Sequence, residues 1–302
     1  MNKKILVIYY SQSGQLGEII DKFTGPIIAA GNTVDRVCIQ PLNAFPFPWT
    51  GKSFFAVMPD SVLTIPTELQ PFELKHTNYD LVILGYQAWF LSPSIPTNSI
   101  LNHTKIKSVI KNTPIITITG ARNMWISALE AIKKTLKASE AKHVGSIVLV
   151  DTHANFVSFI TILYWMFTGK RDRFLNIFPR PGVSNSDIDR CEDFGNLVEK
   201  YIAKDNYVGM QEELVQNKAV VVKYNLMFIE SKAKRIFRIW ANIISKRKKR
   251  TVLLVAFKYY LIIALFVAAP IILTIDAIFF KPFSSSRIKR KKQYYSGINQ
   301  LN

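Results

Sequence analysis

Ile5-Leu6-Val7-Ile8-Tyr9-Tyr10-Ser11-Gln12-Ser13-Gly14-Gln15-Leu16 holds a strand, a turn and the start of a helix. The run Ile5–Tyr10 is apolar and too short for a helix, as expected of a strand buried on both faces of a parallel sheet. Strand-like runs recur at Thr33–Ile39, Leu81–Gly85, Ile115–Thr119 and Ser146–Val150. Helical patterns lie between and after them at about Leu16–Ala30, Pro96–His103, Asn123–Ala138 and Asp187–Ala203, the last with Ser184 or Ser186 as cap. This alternation predicts an α/β fold, a doubly wound five-stranded parallel sheet in the order 2-1-3-4-5, one of two common orders. Two stretches depart from it. Residues 41–75 are rich in Pro and Phe and read as an ordered excursion between the second and third strands. Residues 155–168 are apolar and aromatic but too short to span a bilayer. They fit a buried helix, the wall of a substrate cavity or a membrane-dipping segment.

The turn after the first strand has a chemistry of its own. A helix N-terminus offers unpaired N–H groups and a partial positive charge, which together cradle a phosphate. Ser11 and Ser13 add hydroxyls, and Gly14 lets the backbone approach closely. The loop has neither the Gly-Lys-Ser/Thr of a Walker motif nor the G-x-G-x-x-G of a dinucleotide site. It resembles the loop with which flavodoxins hold the phosphate of FMN, so Ser11, Gln12, Ser13, Gly14, Gln15 and Leu16 are candidate cofactor residues. Ligands of open α/β sheets bind beyond the carboxyl ends of the strands, which brings in the loops after the third and fourth. From these, Gln87, Ala88, Trp89, Phe90, Gly120, Ala121, Arg122, Asn123 and Trp125 are candidates for the flavin ring, with Trp89 and Trp125 offering aromatic faces. Arg122 and His153 are the candidate catalytic residues, one for charge and one for proton transfer.

The motifs Val7-Ile8-Tyr9-Tyr10-Ser11-Gln12-Ser13-Gly14-Gln15, Phe45-Pro46-Phe47-Pro48-Trp49, Leu84-Gly85-Tyr86-Gln87-Ala88-Trp89-Phe90-Leu91-Ser92-Pro93-Ser94 and Arg122-Asn123-Met124-Trp125 carry a narrower likeness. Over roughly residues 3–200 they resemble a bacterial family found with aryl polyene and flexirubin-type pigment genes, labelled dialkylresorcinol condensing enzymes. Condensing acyl thioesters requires a cysteine nucleophile with His or Asn partners. Cys38 and Cys191 fall in a strand and a helix, outside any such set, and form no metal-binding spacing. The resemblance instead implies an aromatase acting after a separate ketosynthase, its possible partner. Turning a dialkylcyclohexanedione into a dialkylresorcinol is a two-electron oxidation, which FMN supports. A membrane-associated NAD(P)H:quinone or flavin reductase and a non-enzymatic electron carrier are the competing readings.

Charge divides the chain. Residues 1–217 hold 21 Lys and Arg against 19 Asp and Glu, whereas residues 218–302 hold 18 against 2. The expected division is therefore a flavin-binding domain at 1–205 and a basic helical tail at 206–302, with an apolar membrane segment at about 251–280. Tyr259 to Phe280 as a helix is ~33 Å long, enough for a ~30 Å hydrocarbon core. A single span competes with a re-entrant or in-plane hairpin bent at Pro270 and with a buried soluble helix. The flanking Lys and Arg suit an anionic membrane surface, and a stretch of membrane length argues against nucleic acid. The N-terminal apolar run is too short for a secretory signal. The expected location is the cytoplasmic face of the inner membrane, with a lipid-like substrate.

Overall fold

The computed structural model of the chain describes residues 2–298. Five strands, β1 (Lys4–Tyr9), β2 (Thr33–Cys38), β3 (Leu81–Gly85), β4 (Pro114–Ala121) and β5 (Lys142–Val150), form one sheet. Its order is β2-β1-β3-β4-β5, and every pair is parallel. This is the doubly wound order expected from the sequence. Because side chains alternate along a strand, Ile5, Val7 and Tyr9 enter one core and Leu6 and Ile8 the other. The first core is closed by α1 (Gln15–Ala29), α8 (Asn185–Asp189) and α9 (Cys191–Lys204). The second is closed by α4 (Ile95–Asn102), α5 (Thr104–Ile110) and α6 (Ile126–Ala138).

The excursion after β2 is ordered. It carries α2 (Gly51–Ala56), opened by a reciprocal capping box between Thr50 and Ser53, and α3 (Met58–Val62). Residues 155–168 form helix α7 (Asn155–Thr168), but not the buried helix a core would require. Ser158, Thr161 and Trp165 face inward while apolar side chains face out, Phe156 being 60% exposed.

The globular core extends past the expected boundary at residue 205. In α10 (Met210–Gln216), Met210 and Leu214 are fully buried under β5. The β5 edge is then covered, since Val148 N–H donates to Ala219 O at 2.8 Å and Val220 and Val222 join the second core.

The basic tail is docked along the globule. Helix α11 (Tyr224–Ser245) packs on α3 and α6. Its Glu230, 1% exposed, accepts the Ser127 N–H at 2.5 Å and the Ile126 N–H at 3.4 Å. These are orphan donors of α6, whose own N-cap, Trp125, provides no acceptor. Burial raises the Glu230 carboxyl above its ordinary range, against the lowering effect of these bonds.

A single helix, α12 (Thr251–Ser296), follows, 46 residues long and apolar enough to cross a membrane by length and composition. It runs straight through Pro270 with no hairpin. A π-helical segment, Ala264–Ala268, precedes the proline and relaxes the turn whose ladder bond proline removes. Both ends are fastened. Phe257 is buried against Met58 and Phe237. At the far end Tyr294 OH donates to Glu130 (2.6 Å), Lys133 to Gly297 O (2.9 Å) and Gln211 to Ser296 O (2.8 Å).

Two predictions follow from these contacts. Met210 and Leu214 are each worth about 1.5–3 kcal/mol of burial. A chain ending at residue 205 should therefore lose its near-UV circular dichroism and aggregate, while one ending at 245 keeps both cores; a cooperative urea transition in the shorter chain would contradict this. The second concerns acid. His143 on β5 is half-buried beside Thr117 with its Nδ1 shielded from solvent, and desolvation, with Lys133 adding to it, pulls its pKa down to about 3. The unfolded chain takes up that proton near ~6.5. Between these values the unfolded state binds more protons, so this contribution is whole above the upper value and lost as pH falls through the window. The loss should reach up to ~1.4 kcal/mol per pH unit, and His143→Gln should flatten it in urea titrations run at several pH values.

Candidate functional site

The loops after β1, β3 and β4 leave neighbouring strands at one edge of the sheet. Gly14 is the N-cap of α1 with φ 87°, a left-handed geometry that a side chain resists, and it supplies no capping oxygen. Beyond it a Cβ would meet no atom within 4 Å, so the space before the helix is open. Ser11 Oγ accepts the Gly17 N–H at 3.4 Å, and Ser13 is half-buried beside it. The result is a hydroxyl-lined helix N-terminus with N–H groups to spare.

The rest of the segment is spent on structure. Gln12 donates to Phe45 O (3.1 Å) and Pro46 O (2.9 Å) and bonds Tyr10 OH, tying the excursion to the loop. Gln15 is buried and exchanges two bonds with Val183, at 3.0 and 3.1 Å. Leu16 belongs to the core. The segment before α8 thus closes the far side of the loop. There Gly182 (φ 84°) has Gln15 Oε1 and Trp165 Cζ3 2.7 Å from where a Cβ would stand.

After β3, Ala88–Trp89 pairs antiparallel with Ser92–Pro93. Phe90 (φ 48°) and Leu91 (φ 61°) form the tip. Two successive left-handed residues are usually Asn-Gly, and each bulky residue here costs on the order of 1–3 kcal/mol. The tip is held by burial. Phe90 packs on Phe54 at 4.8 Å and Phe257 at 6.3 Å, so it faces α2 and the tail rather than a cofactor. Trp89 is half-buried beside the β1 loop, edge-on to Trp49 (5.5 Å), Phe45 (5.2 Å) and Tyr10 (6.2 Å). The buried Gln87 Oε1 has no partner.

The loop after β4 is divided in the same way. Gly120 makes room for Ile19 of α1, whose Cδ1 lies 2.8 Å from a Cβ built there. Ala121 O accepts the Asp151 N–H at 3.1 Å. Trp125, 2% exposed, belongs to the second core and offers no open face. Arg122 directs Nη2 to Asn155 O and Oδ1, both at 2.8 Å, and lies over the Phe159 ring at 5.4 Å. Its Nε is buried without a partner. Desolvation lowers its pKa to about 10, against the pull of Asp151, which still leaves it charged at neutral pH. Asn123 donates to the same Asn155 Oδ1 at 2.7 Å.

His153 is oriented by a residue that sequence reasoning passed over. Asp151, at the end of β5, is buried; its Oδ1 takes His153 Nδ1 at 2.7 Å and its Oδ2 takes Ser158 Oγ at 2.8 Å. With Nδ1 held, Nε2 is the nitrogen left to exchange protons. The spacing Asp151-Thr152-His153 was the available signal. Asn155 had none, because its role exists only once α7 starts beside the β4 loop.

No protein-family model matches the chain, and no curated protein matches it in sequence. Among solved structures, a flavoprotein in complex with FMN from Lactobacillus acidophilus shares 17% identity over 48% of this chain and 93% of its own, with TM-score 0.40. A flavodoxin from the domain Archaea shares 10% over 66% and 99%, with TM-score 0.36. A flavone reductase shares 11% over 68% and 65%, with TM-score 0.36. The assignment to the flavodoxin-like fold rests on the strand order and crossovers described above.

Asn155 is the tie between the β4 loop and α7. Asn155→Ala should lower stability by about 1 kcal/mol, read as a shifted urea midpoint, whereas Asn155→Asp keeps the acceptor and should restore it. Equal midpoints in all three proteins would remove this role.

Proposed function

We propose that the chain binds FMN non-covalently at the carboxyl edge of the sheet and acts as a flavin-dependent oxidoreductase. The observation that carries this reading is a conjunction. A hydroxyl-lined helix N-terminus whose N-cap Gly14 supplies no side-chain acceptor has open space beside that glycine, and the two flanking loops each hold a buried polar atom without a partner, Gln87 Oε1 and Arg122 Nε. A monophosphate suits the first, and the polar edge of a flavin ring suits the other two. The loop after β1 would hold the phosphate, with Trp89 beside the ring. When bound, FMN supplies a two-electron acceptor.

Within this reading the substrate is a lipid-like dialkylcyclohexanedione, oxidised to a dialkylresorcinol by loss of a proton and a hydride. The resemblance in the long aromatic motifs supports that choice, and so does the apolar tail. His153, held by Asp151, is suited to take the proton from carbon through Nε2. The Arg122 cation stabilises the enolate from which the hydride departs.

The membrane is part of this reading. Of the most apolar stretch of α12 only 6% is buried, while both ends are fastened to the globule. A helix so tethered fits one that lies in the interface, with its apolar face in the acyl region and its basic ends among anionic headgroups.

Gly14→Val should abolish FMN retention, judged by the flavin released on denaturation; a colourless wild-type protein that cannot be reconstituted with FMN would end the proposal. In single-turnover flavin reduction by the dione, Arg122→Ala should lose about 2–4 kcal/mol of transition-state stabilisation and His153→Ala roughly 10²-fold in rate, both retaining FMN. Flavin reduced by NAD(P)H but never by the dione would hand the function to the quinone reductase reading. For the in-plane tail, protease-cleavable tags at the two termini should be accessible from the same side of sealed vesicles, and opposite accessibility would mean a span.

A further inference from the structure

The residue that orients His153 also forms one wall of a cavity that extends beyond the expected flavin loops. It has a volume of about 580 Å³ and lies between the loop after β5, the first turns of α7 and α11, and the far part of α12. Asn123 of the β4 loop lies on its lining, so the cavity adjoins the proposed flavin site. His153, Lys223 and Lys281 supply its basic groups, and Leu226 and Leu273 its apolar wall.

The electrostatics favour one kind of guest. Lys223 and Lys281 are exposed, and neither has an acidic partner among the described residues; Lys281 Nζ sits 5.6 Å from the Tyr224 ring centroid. The two acids nearby are both engaged. Asp151 holds His153 and Ser158, and Asp276 is buried and accepts Tyr224 OH at 2.8 Å. Two helices begin at the cavity, α7 after Ala154 and α11 after Lys223, and neither has a side-chain cap. Their N–H groups add to the positive field of the lysines. With Asp151 counted against the two lysines, the lining carries about one uncompensated positive charge. The apolar wall is shared with α12, whose outer face is exposed, Ile271 and Ile275 among it.

We propose that this cavity receives the monoanionic head of an alkyl-chain amphiphile, held by Lys223, Lys281 and His153, with its chain running past Leu226 and Leu273 to the exposed face of α12. A cyclohexanedione enolate and an anionic phospholipid share this chemistry. The identity of the first as substrate rests on the functional reading above; binding itself requires no flavin.

The test uses the full chain in phosphatidylcholine nanodiscs, both flavin-free and FMN-loaded, titrated calorimetrically with an alkyl cyclohexanedione. The flavin-free protein should bind it. The neutral enol ether and the same dione without its alkyl chain should each bind about tenfold or more weakly, and so should the dione to the double variant Lys223→Gln, Lys281→Gln. Lys→Arg at both positions should restore binding. Both lysines are exposed, so the variants should fold, which the urea transition verifies. Short-chain phosphatidylglycerol that competes with the dione and shows the same lysine dependence also supports the site and identifies a lipid source. Binding of both ligands to the double variant as tightly as to the wild type overturns the proposal, as does failure of both to bind the wild type. Lysine-dependent binding without flavin reduction would leave the cavity standing and remove the oxidase reading; flavin reduction without lysine dependence would do the reverse.

Discussion

The close seat of α1 on the sheet is the constraint from which the rest follows. A Cβ at Gly85 would lie 2.6 Å from Tyr9 Cβ and 2.7 Å from Ile20 Cδ1, and one at Gly120 would lie 2.8 Å from Ile19 Cδ1. β3 therefore ends in Gly85 and β4 carries Gly120 one residue before its end, which lets the helix lie close across them. That position fixes the helix N-terminus at the edge where β1 and β3 diverge, which is where an open α/β sheet leaves a crevice. Gly14 completes the arrangement, because its left-handed backbone turns the chain out of β1 without placing a side chain before the first N–H groups.

Closing the crevice from behind is the work of the tail. Its 218–302 segment has only two acids, Glu230 and Asp276, and both are buried. Glu230 satisfies the N-terminus of α6 directly below the β4 loop, and Asp276 fixes Tyr224 at the cavity wall. Phe257 supports the strained Phe90–Leu91 tip. A segment that composition marks as an appendage is thus bonded into three elements of the site. Buried carboxylates survive only when donors compensate their desolvation; for Glu230 the donors belong to the globule, and for Asp276 the donor is Tyr224 at the start of α11.

The inner sheet was legible because buried parallel strands must be nearly continuous apolar runs, as β1 and β3 are, while the edge strand β2 (Thr33–Cys38) carries Asp35 and Arg36 and reads as a strand mainly through its place in the alternation. The turn after β1 was legible for a similarly local reason, since Gly14 caps α1 with its own left-handed backbone and Ser11 bonds within the same turn. Residues whose meaning depends on distant partners were not. Trp125 and Leu16 are cofactor-like by position but core by packing, and Gly120 serves Ile19. Gln15 pairs with Val183, 168 residues away. Composition places the boundary at 205, whereas the packing of Met210 and Leu214 under β5 depends on a strand far earlier in the chain. Even so, an isolated Glu and an isolated Asp in so basic a tail were a readable sign of burial.

Helix α7 brings these strands together. Its hydroxyls and Trp165 face the protein and its phenyl groups face away, the reverse of a surface helix in water. Phe156 and Phe159 meet Phe266 of α12 edge-on at 6.0 and 5.1 Å, so the outward faces of the two helices adjoin. Beyond α7 the chain exposes Leu175 and Ile177, in a stretch of sequence that also carries Lys170, Arg171, Arg173 and Arg180. The first turn of this same helix carries Asn155 and Ser158, which hold Arg122, Asn123 and Asp151. One element therefore presents apolar surface outward and fixes the polar groups inward. Arg122 and the Asp151–His153 pair are thus held by one and the same helix turn.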